Sequence, residues 1–184
     1  MAKFCGKDSD MSDEKWIAAH EAGHAVAHIR LFPEIPFKDM SIVENGQIGS
    51  RGNLNLAFEM DVVPVDLPKD EAEAHFLKDA ILACAGYAAS LCVGYDERIS
   101  LTGCESDFER AGHLLENGKI QAIDLMSEPR NIVAVQRLAE ELLKHESLDF
   151  EHVEGIVMVS DGEMSEIEYL EYLENNAFFR RQRE

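Results

Sequence analysis

His20-Glu21-Ala22-Gly23-His24 lies inside a run from Trp16 to Leu31 that is rich in small and apolar residues and is stopped by Pro33. The run reads as a helix. Ser12 or Asp13 can cap its start, and Asp13 and Glu14 place negative charge in the first turn. On a helix, residues four apart are one turn apart, about 6 Å along the axis and on one face, so both imidazoles can reach a single ion. Glu21, between them, projects toward the ion's open position, where a carboxylate can take a proton from water. The apolar residues fall on nearly every side, which predicts a helix buried in a core rather than laid on a surface. Buried histidines and a buried Glu need partners. Gly23 costs up to about 1 kcal/mol relative to Ala inside a helix, a cost that makes sense if another element passes close by.

Length and composition bound what the chain can do. At 184 residues one domain with a real core is expected. A net charge of −19 argues against binding a nucleic-acid backbone or an anionic membrane surface. No apolar segment follows Met1, so no signal peptide is expected, and the longest apolar run, Ala80 to Gly94, falls short of the roughly 18 to 20 residues that span a bilayer. Cys5, Cys84, Cys92 and Cys104 form no Cys-x-x-Cys pair. They read as small buried hydrophobes in a reducing, cytoplasmic compartment.

The remainder is mostly helical with one small sheet, a mainly α (α+β) class. Lys38–Glu44 reads as a short strand, Asn45-Gly46 as a turn, and Gly52–Met60 as a half-buried strand by its alternation. Helices are expected from Pro68 to about Cys92, from Cys104 to Glu116 with a stop at Asn117-Gly118, and from Pro129 through Lys144. Two more are expected over Asp149–Val159 and Gly162–Asn175. Gly94–Gly103 reads as a loop, and Lys119–Ser127 gives no clear signal. The organisation expected is a tail over 1–11, a catalytic domain over 12–159, and a C-terminal helix with a basic tail over 160–184.

A catalytic zinc usually takes three protein ligands and a water. His28 continues the four-residue step but would sit about 12 Å from His20 along a straight helix, so it reads as a packed or surface residue. Glu105, Asp107 and Glu109, following Gly103 at the start of a helix, are better candidates, and spacing alone does not choose among them. His75, His113, His145 and His152 show no ligand spacing, though His113 falls on the same expected helix as Asp107.

His20-Glu21-Ala22-Gly23-His24-Ala25-Val26, Thr102-Gly103 and Ser106-Asp107-Phe108-Glu109-Arg110-Ala111 together resemble the peptidase domain of the FtsH family of membrane-anchored AAA proteases. The resemblance implies one Zn²⁺ per chain held by His20, His24 and Asp107, with Glu21 as catalytic base. It also aligns Ala85-Gly86-Tyr87-Ala88-Ala89 with a small-residue family motif, and Gly52-Asn53-Leu54-Asn55-Leu56 with a strand thought to hold extended substrate. It covers residues 12–157. The sequence departs from the family in carrying no Gly-x-x-x-x-Gly-Lys-Ser/Thr loop and no membrane-spanning segment, and in placing Ser90-Leu91 where the family has paired Glu.

The function these readings imply is zinc-dependent hydrolysis of peptide bonds in short peptides or unfolded proteins, the Gly52–Met60 strand accepting substrate at a sheet edge. A separate unfoldase partner or a homo-oligomer would fit the family's way of working. The competing reading is a non-catalytic adaptor that keeps the fold, although a purely structural site has no use for Glu21.

Overall fold

The computed structural model describes residues 7–43, 52–56 and 68–181. Among these, α1 spans Lys7–Leu31, β1 Phe37–Ser41, β2 Asn53–Leu56, α2 Lys69–Cys92, α3 Glu97–Ser100 and α4 Glu105–Ala111. After a 3₁₀ turn at Gly112–Leu114 come α5 (Leu115–Met126), α6 (Pro129–His145), β3 (Ser147–Asp149), α7 (Phe150–Asp161) and α8 (Glu166–Arg181). The class is the mainly α (α+β) one expected, with a single three-stranded antiparallel sheet.

Helix α1 is the centre of the core. It packs against α2 and α6, while α5 packs on α2 and α7 on α6. Every residue from Ile17 to His28 is buried, as the all-round apolar pattern requires. The close approach anticipated at Gly23 is made by α2: a Cβ there would meet the Ala89 side chain and lie 2.6 Å from the Ala85 carbonyl oxygen. At the C-terminal end of α1, Arg30 is held by a bidentate ion pair to Asp161 of α7, both N···O distances 2.6 Å. Its Nε donates to Asn131 Oδ1 at 2.9 Å, and buried Asn131 donates in turn to the Leu125 carbonyl at 2.8 Å. This chain of bonds fastens the central helix to α5, α6 and α7.

The sheet has the order β2-β1-β3. Fully buried Met40 of β1 faces Leu54 on one side and Leu148 on the other, closing the core at that end. A register shift between Phe37 and Asp39 lets both Phe37 and Met40 turn inward. Among the described residues β2 stands at one edge of the sheet, with β1 as its neighbour.

Several boundaries differ from expectation. Among the described residues helix α1 is already formed at Lys7, ahead of Ser12 and Asp13. It therefore takes in part of the expected 1–11 tail. Strand β1 ends at Ser41; the Asn45-Gly46 turn and residues 57–60 of the second expected strand lie outside the described residues. Short α3 sits within the expected loop, capped by the Asp96 carboxylate accepting from the Ile99 N–H at 2.9 Å. The helix expected to stop at Gly118 breaks instead at Gly112, whose φ is 54°. Gly118 lies within α5, where a Cβ would come 2.7 Å from the Ala80 carbonyl oxygen; it is there for close packing on α2. Asp149 caps α7, which runs on to Asp161, so the boundary expected at residue 160 falls inside a helix. Helix α8 docks on α7 through Tyr169, which lies over Gly155, and continues to Arg181. No helix of the described residues is long and apolar enough to cross a membrane.

Candidate metal centre

Helix α1 presents His20 and His24 on the face turned toward α2 and α4. Their Nε2 atoms lie 3.1 Å apart. Asp107, in the first turn of α4, brings Oδ2 to 3.2 Å from His20 Nε2 and 3.4 Å from His24 Nε2. Of the three acids that spacing left open, Asp107 is the one that faces inward; Glu105 and Glu109 are exposed. Among the described residues this is the one group of three His, Cys, Asp or Glu side chains whose ligand atoms converge closely enough to hold a metal ion. The donor set passes a geometric test. Four ligands at about 2.0–2.1 Å in a tetrahedron stand about 3.3–3.4 Å from one another, and the three observed separations fall near that edge length.

The histidines are oriented differently. His24 Nδ1 donates to the Leu82 carbonyl at 2.9 Å, which fixes the ring's orientation and leaves Nε2 as the nitrogen turned toward His20 and Asp107. Among the described residues, buried His20 Nδ1 has no hydrogen-bond partner. Its ring instead fills the space that Gly86 leaves on α2, where a Cβ would lie 2.5–2.6 Å from three ring atoms. Trp16 lies one turn before His20, with ring centroids 5.5 Å apart.

Glu21 is buried at the same site. Gly52, with φ 139°, stands directly against it: a Cβ at Gly52 would collide with the Glu21 carboxylate. Thus β2 begins beside the carboxylate, and Asn53, Leu54, Asn55 and Leu56 lead away from it along the sheet edge. The Asn55 amide is anchored by donating to Asp39 of β1.

Electrostatics follow from burial and crowding. Burial pushes the Glu21 carboxyl up to about 7, although the His24 charge pulls the other way. Burial lowers His20. Burial alone would lower His24 as well, but the hydrogen bond and charge of Asp107 outweigh it and hold His24 up to about 9. Burial likewise works against ionisation of Asp107, yet bonds from both imidazoles hold its carboxyl well below the usual range. Without metal, one proton on His24 thus occupies the point where three donor atoms meet.

Other candidates fall away from the site. His28 is fully buried and donates through Nε2 to the Ile35 carbonyl at 2.6 Å, packed between Phe32 and Phe37. His113 is exposed, because the break at Gly112 takes it off α4. Arg110 lies 3.8 Å from Asp79 of α2. Buried Cys104 has its thiol pushed up to about 12 by burial, so it stays protonated and weakly nucleophilic. Sequence reasoning missed the Leu82 carbonyl, the contact of Trp16 with His20 and the space at Gly86. The only advance signal for these was a glycine inside an alanine-rich helix. No protein-family model matches the chain and no curated protein matches it.

Proposed function

We propose that the chain is a zinc-dependent metallopeptidase acting on short peptides or unfolded segments. The observation that carries this reading is the convergence of His20, His24 and Asp107 on one point with the Glu21 carboxylate beside it. A zinc ion held by those three side chains would acidify a bound water and polarise the scissile carbonyl. Glu21 supplies the proton traffic: poised near neutrality by burial, it accepts a proton and returns it to the leaving amine. A dication nearby would favour its ionised, accepting form. The edge of β2, which starts at Gly52 beside that carboxylate, suits an extended peptide bound by main-chain hydrogen bonds. Such binding reads backbone more than side chains, so broad sequence tolerance is expected.

Metal content by mass spectrometry on the purified chain and on Asp107→Ala, with hydrolysis of an unstructured peptide followed in parallel, tests the reading. About one zinc per chain is expected, sharply weakened in the variant, with hydrolysis lost on chelation and restored by zinc. A parent chain that takes up no zinc at neutral pH would end the peptidase proposal.

Uptake should depend on pH in a defined direction. Zinc must displace the His24 proton, so apparent affinity should climb by up to about tenfold per pH unit from 7 toward 9. The metal-free chain has the opposite slope. The folded-state value of His24 lies above its ordinary value of 6.5, so the stability it contributes is complete below pH 6.5 and is lost as pH rises through about 9. The zinc-induced rise in Tm should therefore be greater at pH 8 than at pH 6. A rise independent of pH would remove His24 from the ligand set.

A further inference from the structure

A metal-binding imidazole normally donates its second ring N–H to a carboxylate, carbonyl or water, which fixes the ring's orientation. His24 follows that pattern through Leu82, and His20 does not: its buried Nδ1 has no partner among the described residues. In the metal-free chain His20 Nε2 is held by its hydrogen bond to Asp107 at 3.2 Å; an ion on Nε2 would take the place of that bond, and the ring would then need another restraint.

Two features flank it. On α2, Gly86 offers bare backbone where any side chain would overlap the ring. On α1, Trp16 sets its indole against the imidazole, centroids 5.5 Å apart and planes inclined by 52°. The indole is itself backed by the 101–104 loop, since a Cβ at Gly103 would touch Trp16 Cη2 at 3.4 Å. Trp16 Nε1 is buried and makes no hydrogen bond among the described residues, so the indole is placed by its flat surface rather than by its polar handle.

We infer that Trp16 is a positioning residue for His20, its indole and the bare backbone at Gly86 forming a slot that replaces the missing hydrogen bond. This rests on the reading of His20, His24 and Asp107 as a zinc site. Within it, removing the wall of the slot lets the imidazole rotate about its Cβ–Cγ bond, and the Nε2 lone pair spends less time on the metal. Loss of an orienting partner of this kind typically weakens metal binding by about 10- to 100-fold.

The test uses the full chain with zinc alone, its affinity measured by competition with a chromophoric chelator at fixed pH. The parent is compared with Trp16→Ala, Trp16→Leu and Trp16→Phe, and the Tm of each metal-free variant is recorded. Trp16→Ala and Trp16→Leu should bind zinc about 10- to 100-fold more weakly. Trp16→Phe, which keeps a flat ring, should stay within about threefold of the parent. Co²⁺ in place of zinc adds a readout of ligand geometry: its visible absorption should change shape in Trp16→Leu and not in Trp16→Phe. If Trp16→Ala does not fold, the Leu and Phe pair carries the comparison. Leu and Phe variants that bind zinc as tightly as the parent, differing only in Tm, would reduce Trp16 to ordinary packing and overturn the inference. A parent chain that binds no zinc would overturn the metal reading itself, a separable result because it needs no Trp16 variant.

Discussion

Glu21→Gln is expected to cut peptide hydrolysis by about 10²- to 10⁴-fold while the metal content of the chain stays at the parent level. The substitution keeps the shape of the side chain and removes only its capacity to accept a proton. His20, His24 and Asp107 are untouched, since the Glu21 carboxylate is not among the converging donor atoms. The stability of the metal-free chain supplies a control with a definite sign. The folded-state value of Glu21, about 7, lies above its ordinary value of 4.5, so the parent loses stability as pH rises through that interval. Gln is neutral throughout and escapes the cost of burying a charge. Above pH 7 the variant should be at least as stable as the parent, while being nearly inactive. Retained hydrolysis would remove Glu21 as the base; hydrolysis lost together with the metal would make it a structural member of the site.

The second large effect is on stability. Asp161→Ala should destabilise the chain by about 3–5 kcal/mol, because it leaves the Arg30 guanidinium largely buried without its counter-charge. For a chain of this size that corresponds to a fall in Tm of about 10 °C. The guanidinium cannot rescue itself by turning to Asn131, whose carbonyl oxygen already accepts from Arg30 Nε and whose amide is committed to Leu125. The double variant Arg30→Met with Asp161→Leu should recover most of the loss, since replacing a buried pair by apolar groups of similar volume is often neutral. Chemical denaturation of the three variants and the parent measures both terms. A loss below about 1 kcal/mol in Asp161→Ala would mean that water reaches the pair and that it behaves as a surface ion pair.

The legible part of the molecule was the part written in short-range patterns. The face of α1 that carries His20 and His24 follows from two histidines one turn apart, its burial from small residues on all sides, and the starts of α2 and α6 from Pro68 and Pro129. What stayed hidden depends on partners distant in sequence. Asp107 could not be separated from Glu105 and Glu109 by spacing, because the choice is made by how α4 lies against α1; only the family resemblance singled it out. Gly112 and Gly118 show the same difficulty. Both look like helix stops, yet one ends a helix through a positive φ and the other sits mid-helix to let α2 approach. Strand β3, three residues long, has too little alternation to announce itself and exists because Leu148 is required opposite Met40.

The three metal-ligand candidates are not equally anchored. His20 and His24 belong to the most deeply packed helix of the fold, whereas Asp107 rides on a seven-residue helix with glycines of positive φ before it and behind it, Gly103 at 71° and Gly112 at 54°. Withdrawing either histidine means opening the α1–α2 contact around Gly23. Withdrawing Asp107 means swinging one short segment about two joints that already adopt backbone angles open to glycine. Capture and release of an ion by these three side chains would therefore be governed by the α4 arm that carries Asp107, while the core that carries His20 and His24 stays intact.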